Sequence, residues 1–170
     1  MKTLILIVLL CWTNSVSQAQ QKGSDSICRY SKTSSGYLMV LRESDDVIVA
    51  IENLVKVEKI PSGHFTGIGF AKKVEFGFYD FNAKKFNPKT FERVEMGNVT
   101  GSIAWKNADP SIHIHGVATD DRFNAYGGHI LSLMVGTGSM EIYITVDREK
   151  LERKVEQPLN ANVLQLPCKP

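Results

Sequence analysis

Beyond Pro61 the helical spacing of apolar residues ends and a period-two rhythm takes over. This change constrains the fold more than any other feature of the chain. Before it, Val47, Ile48, Ile51, Leu54 and Val55 recur as on one helix face. Ser44, Asp45 and Asp46 are capping candidates, and Pro61 and Gly63 are the stop. "YLMVLR" (Tyr37–Arg42) reads as a strand ahead of that helix. After it, "FTGIGFAKKVEFGFYD", "FNPKTFERVEM", "NVTGSIAW", "SIHIHGVA", "GGHILSLMV" and "MEIYITV" read as strands. "NAKK" and "KNADP" are turns between them, and "GTGS" is read as a hairpin turn. The C-terminal "LERKVEQPLNANVLQL" reads as a short turn and an edge segment. About eight strands and one main helix predict an α+β domain with a mostly antiparallel sheet. A length of 170 residues suits one such domain with its own core, and no internal repeat divides it.

The two ends read differently from the middle. Residues 1–19 have the form of a secretory signal: Lys2, an apolar run of nine from Leu4 to Trp12, then Ser17-Gln18-Ala19 as a small-x-small cleavage site. The run is too short to span a membrane, which takes about 20 residues. The expectation is an exported chain, periplasmic or secreted, cut after Ala19 and without a transmembrane span. Residues 20–36 are polar and Ser-rich and read as a flexible tether, residues 37–166 as the domain, and residues 167–170 as a tail. Cys11 goes with the leader. Cys28 and Cys168 remain, one near each end, either bridged or as two free thiols. A bridge would close a long loop and stabilise by about 4–5 kcal/mol in the chain-entropy model.

Three of the four histidines fall within "SIHIHGVATDDRFNAYGGHI" (Ser111–Ile130). Strand alternation puts His113, His115 and Val117 on one face and leaves Ile112 and Ile114 for the core. A hairpin centred near Arg122 sets His115 opposite His129, with His113 as the diagonal neighbour. Paired positions lie about 5 Å apart and diagonal ones about 7–8 Å. Three neutral imidazoles so placed can converge on one ion. Zinc with an open position fits best, and iron, nickel or copper would also accept the set. Gly127 and Gly128 allow close backbone passage beside the third ligand. His64 stands alone and is assigned a structural or surface role.

The motifs carry the pattern of a known family. "YLMVLR" with its helix, "SGHFTGIGFAKKVEFGFYD", "GNVTGSI", "IHIHGVATDD" and "YGGHI", in that order, resemble the plants-and-prokaryotes-conserved (PPC) domain over roughly Tyr37 to Leu166. The resemblance implies an α/β fold on an antiparallel sheet and a homotrimer. Its metal-site candidates map onto His113, His115 and His129. Its Glu before Gly-aromatic-Tyr matches Glu75, a candidate additional ligand, ligand-supporting residue or base, set against a solvated strand residue. Bacterial members are often labelled putative DNA-binding proteins. Plant members that bind DNA carry an Arg-Gly-Arg-Pro AT-hook, which this chain lacks. Many members have a glycine where this chain has Leu133.

Charge helps to rank the functions. Hydrophobic residues make up 43% and charged residues 22%, as in soluble globular proteins, and the formal net charge is +2. Loss of a leader carrying Lys2 would leave +1. That balance is far from a protein living on phosphate backbones. The ordering is therefore a metal- or ligand-holding module, then a metal-dependent hydrolase-type enzyme, then a DNA binder. In the enzyme reading a three-His zinc lowers the pKa of its water towards about 7, with Glu75, Asp120 or Asp121 as proton acceptor. Asp120 and Asp121 read first as turn residues. Ser102, Ser111, Ser132 and Ser139 sit in no nucleophile elbow, and "GTGSME" lacks the lysine of a phosphate loop. Asn98-Val99-Thr100 is a formal glycosylation sequon lying in a strand. Phe76, Phe78, Tyr79, Phe81, Phe86 and Phe91 read as core or subunit-interface aromatics ahead of a base-stacking platform.

Overall fold

A computed structural model describes residues 28–166. In chain order the elements are β1 (Tyr30–Lys32), β2 (Gly36–Arg42), α1 (Val47–Glu58), β3 (Ser62–Asp80), β4 (Lys85–Lys106), β5 (Asp109–Thr119), β6 (Ala125–Asp147), β7 (Glu152–Glu156) and β8 (Ala161–Gln165). Among the described residues, one helix and a predominantly antiparallel sheet agree with the expected α+β class. The leader (1–19), the tail (167–170) and Cys168 lie outside the described residues. Cys28 is exposed, and its Sγ sits 2.8 Å from the Tyr30 carbonyl. Among the described residues no helix is long and apolar enough to cross a membrane.

Four antiparallel pairings, β3–β4, β4–β5, β5–β6 and β6–β3, close on themselves. β2 extends the sheet from β6, and β1 from β2. The long strands β3, β4 and β6 have 19, 22 and 23 residues, and β6 pairs along its length with β2, β3 and β5. The core fills from the inward alternation of β3 to β6: Phe65, Met96, Ile103, Ile114, Ile130, Leu133 and Met140 are all buried. Burial of each such side chain contributes about 1.5–3 kcal/mol. Leu133 is one of these core residues.

Helix α1 packs Val47, Ile51, Leu54 and Val55 into this core. Of the apolar residues expected on its face, only Ile48 is partly buried instead. Asp46 is the N-cap, accepting from the amides of Ile48 (2.9 Å) and Val49 (3.1 Å). The helix ends at Lys59, in the left-handed conformation two residues before Pro61.

Three expectations are corrected. "GTGS" is not a hairpin turn. β6 runs through it, with Val135 opposite Ala71 and Met140 opposite Gly69, so the surplus residues bulge out. Ser44 N donates to Val135 O at 2.9 Å and Val135 N to Asp45 O at 3.0 Å, holding the bulge against the start of α1. A Cβ on Gly136 would lie 2.7 Å from the Lys72 amide nitrogen, so this glycine serves close approach. "FNPKTFERVEM" and "NVTGSIAW" are likewise one strand, β4, with a bulge between Met96 and Asn98. The described part of 20–36 is no free tether. β1 pairs with β2, and side chains on and beside these strands are tied to Glu58 of α1 and to Asp45 ahead of it. Tyr30 and Tyr37 hydroxyls donate to Glu58 at 3.0 and 2.8 Å, Lys32 pairs with Glu58 at 3.2 Å, and Arg29 pairs with Asp45 at 2.7 Å.

The "KNADP" turn is a two-residue connection, Asn107-Ala108, between Lys106 and its partner Asp109. Both residues have positive φ, 50° and 69°, as in a type I′ turn. Asn suits this geometry and Ala does not. Ala108→Gly should therefore raise stability by about 1 kcal/mol. A denaturation midpoint at or below that of the parent chain would contradict the assignment.

Candidate metal centre

β5 alternates as its composition dictates. Ile114, Gly116 and Ala118 are buried, whereas His113, His115 and Val117 face outward. His115 stands opposite His129 in the β5–β6 ladder, the register expected for a hairpin centred at Arg122. A carboxylate clasp holds the connection. Asp120 accepts from the amides of Arg122 and Asn124, both 2.9 Å, from the Asn124 side chain, and from the Tyr126 hydroxyl at 3.0 Å. The Asn124 side chain and these other donors hold its pKa down at about 2.

The glycines ahead of His129 serve different needs. A Cβ on Gly127 would lie 2.7 Å from the Gly116 carbonyl, so the strands could not approach. Gly128 has room for a Cβ but a φ of +152°, which side-chain-bearing residues rarely adopt. His129 then stacks on Phe86, with centroids 4.7 Å apart and planes at 15°.

One ring nitrogen from each of His113, His115 and His129 lies within 4.8 Å of the others. The Nε2 atoms of His113 and His115 are 3.1 Å apart, a contact that requires at least one unprotonated nitrogen. Burial pushes the His129 pKa down to about 4, helped by the neighbouring His113 and His115. Burial also lowers that of His113, with the Arg153 charge and His115 as further causes. Both imidazoles are therefore neutral at pH 7, the form that ligates. The donor set is all nitrogen. It fits zinc, iron or nickel and offers none of the oxygen that calcium or magnesium requires.

The histidines open into a cleft of about 1030 Å³ whose other walls include Phe78, Phe86, Arg153 and Val163. Glu75 is not brought to it. It lies between Thr90 and Ser132 in the sheet and accepts from the Thr90 hydroxyl at 3.3 Å. Asp120 is committed to its clasp, and Asp121 is exposed in the same turn. His64 is exposed in the row His64–Ser102–His113, two strands from His113 and outside the group. Of the aromatic run, Phe76 is buried but Phe78 is 77% exposed, because β6 leaves β3 at Gly77. Sequence reasoning missed Arg153 altogether. It sits in a charged run, "LERKVEQ", whose alternation gives no sign of which side is covered.

The sequence profile of the Plants and Prokaryotes Conserved (PCC) domain matches residues 28–146. No curated protein matches the sequence. Among solved structures, a putative DNA-binding protein from Ralstonia eutropha JMP134 is 55% identical, with a TM-score of 0.80 over 82% of this chain and 96% of that one. A PPC protein from Pyrococcus horikoshii is 24% identical, with a TM-score of 0.71 over 82% of this chain and 96% of that one. A metal-containing protein from Archaeoglobus fulgidus is also 24% identical, with a TM-score of 0.71 over 81% and 96%. The last two establish likeness of fold. The expected family is thus met over most of the described residues, and the chain belongs to the Plants and Prokaryotes Conserved domain family, abbreviated PCC or PPC.

Proposed function

We propose that this protein is an exported PPC-domain module that holds one divalent metal ion, zinc before iron or nickel, on His113, His115 and His129. The ion and the cleft beside it take a small-molecule ligand. The observation that carries this reading is the convergence of three imidazole nitrogens within 4.8 Å, two of them on rings kept neutral by burial. A divalent metal held there supplies Lewis acidity. The chain supplies the rest: β5 and β6 fix the rings, Phe86 orients His129, and the cleft walls exclude water from one side.

Binding is preferred to hydrolysis because the proton acceptors considered for hydrolysis are placed elsewhere. Glu75 does not line the cleft, and Asp120 is consumed by its turn. A DNA-binding role comes third. It rests on the label of the Ralstonia structure, whereas a net charge of +2 provides little attraction for duplex. Homotrimeric assembly is part of the proposal. Phe78, Phe81 and Phe123 are 77%, 61% and 88% exposed, apolar side chains that association would cover. Export rests on the leader pattern of residues 1–19.

Elemental analysis with an anomalous scattering map of untreated protein tests the reading directly. About one metal ion per chain between the three rings is expected, in a species with the sedimentation mass of three chains. Protein that stays metal-free after incubation with zinc, iron and nickel would sink it.

A further inference from the structure

The cleft beside the histidines is walled on one side by a segment beyond the residues that match the family. β7 and β8 follow Val146 and form a hairpin of their own. Trp105 N donates to Leu151 O at 2.9 Å, Tyr79 Oη to Leu159 O at 2.8 Å, and Asn162 Nδ2 to Ser111 Oγ at 3.2 Å. These contacts lay the hairpin against the cleft, where Arg153 and residues 160–164 become one wall.

Arg153 is only 5% exposed. Its Nη2 donates to Ser102 Oγ at 2.6 Å, and Ser102 stands opposite His113 in the sheet. Its Nε is buried without a partner. Among the described residues no carboxylate pairs with it, and none lines the cleft. An unpaired buried guanidinium is an expensive placement, and loading the histidines with a divalent cation would set a second positive centre beside it. The cleft therefore has cationic groups without an anionic counterpart of its own. A guanidinium fork matches the two oxygens of a planar carboxylate. The remaining walls, Phe78, Phe86, Val163 and Leu164, are apolar and suit a carbon body.

We infer that the cleft is a site for a small organic carboxylate, its carboxylate group bound by Arg153 and its apolar body against the aromatic wall, with the far end towards the histidine group. The inference deepens the ligand-holding reading above, and only the orientation towards the histidines rests on the metal.

Calorimetric titration of the full chain, metal-free and cobalt-loaded, tests it. The probes are benzoate, isobutyrate and lactate, the amide of each acid, and inorganic phosphate. At least one acid should bind in the millimolar range or tighter, with its amide and phosphate about tenfold or more weaker. Arg153→Met and Arg153→Lys should each weaken the acid at least about tenfold at unchanged metal content. Arg153→Met should unfold at a temperature no lower than the parent chain, since an apolar side chain replaces an unpaired buried charge. A merely structural arginine would give the opposite result.

Undiminished acid binding in both variants overturns the inference. So does equal binding of amide or phosphate, failure of all three acids, or a strongly destabilised Arg153→Met. Metal binding without acid binding leaves the metal reading standing and removes this one. Arg153-dependent acid binding in a chain that takes no metal does the reverse.

Discussion

The double variant His113→Ala/His129→Ala is expected to lose essentially all bound metal while keeping its fold. Removing two of three nitrogen donors leaves one imidazole, which cannot hold a divalent ion against buffer. Disturbing a residue that merely supports a ligand already costs about 10–100-fold in affinity, so loss of two ligands should exceed that. The fold should survive because His113 points outward from β5, and neither His113 nor His129 belongs to the buried core. Retained stoichiometric metal in the double variant, measured by elemental analysis after dialysis, would remove the assignment.

Acidification should release the same ion with a recognisable profile. A protonated imidazole cannot ligate, and His129 accepts its proton only near pH 4. Proton uptake on metal release should therefore grow as pH falls towards 4, and apparent affinity should fall most steeply there. Stability of the metal-free chain follows the same sign. The folded-state pKa values of His113 and His129 are depressed below 6.5, so the unfolded chain binds more protons between that value and about 4. Their contribution is present above about pH 6.5 and is lost as pH falls through the folded values. Asp120 adds a lower window, lost between its ordinary 3.8 and about 2.

Local rules were enough to read the site from the sequence, and long-range packing hid the rest. The faces of His113, His115 and Val117 follow from period-two alternation. The register of His115 against His129 follows from a hairpin centred on Arg122. The bulges at Gly97 and Gly136–Gly138 escaped because a glycine within a β-rich run marks a turn or a bulge equally well. Only the partner strand, here β3 continuing past Gly69, decides between them. β1 escaped because its polar residues find their partners in Glu58, which lies 28 positions from Tyr30. Arg153 escaped for the same kind of reason. Its burial is created by β7 lying over Ser102, 51 positions earlier, and nothing adjacent to it in sequence signals that.

Gly101→Ala should be the most damaging conservative change in the sheet, costing about 3 kcal/mol or more. Gly101 sits on β4 between Phe65 of β3 and Ile114 of β5. A Cβ there would overlap the His113 carbonyl oxygen and the Phe65 ring, whose Cε1 would stand 2.8 Å away. Phe65 is 1% exposed, so its ring can move only by displacing its core neighbours. The carbonyl is backbone and can yield only if β5 moves away from β4. For a chain of this size the expected fall in melting temperature is roughly 6–12 °C. Gly97→Ala supplies the contrast, since its Cβ would meet only the Val117 carbonyl at 4.0 Å and should be tolerated. Adding Phe65→Leu to Gly101→Ala should recover only part of the loss, because the ring overlap is relieved and the carbonyl overlap is not. Metal affinity should fall as well. The atom forced to move is the carbonyl of His113 itself, so a glycine on the neighbouring strand sets where a candidate ligand stands. Equal stability of Gly101→Ala and Gly97→Ala would show that the contact of β4 with β5 and Phe65 leaves room for a Cβ.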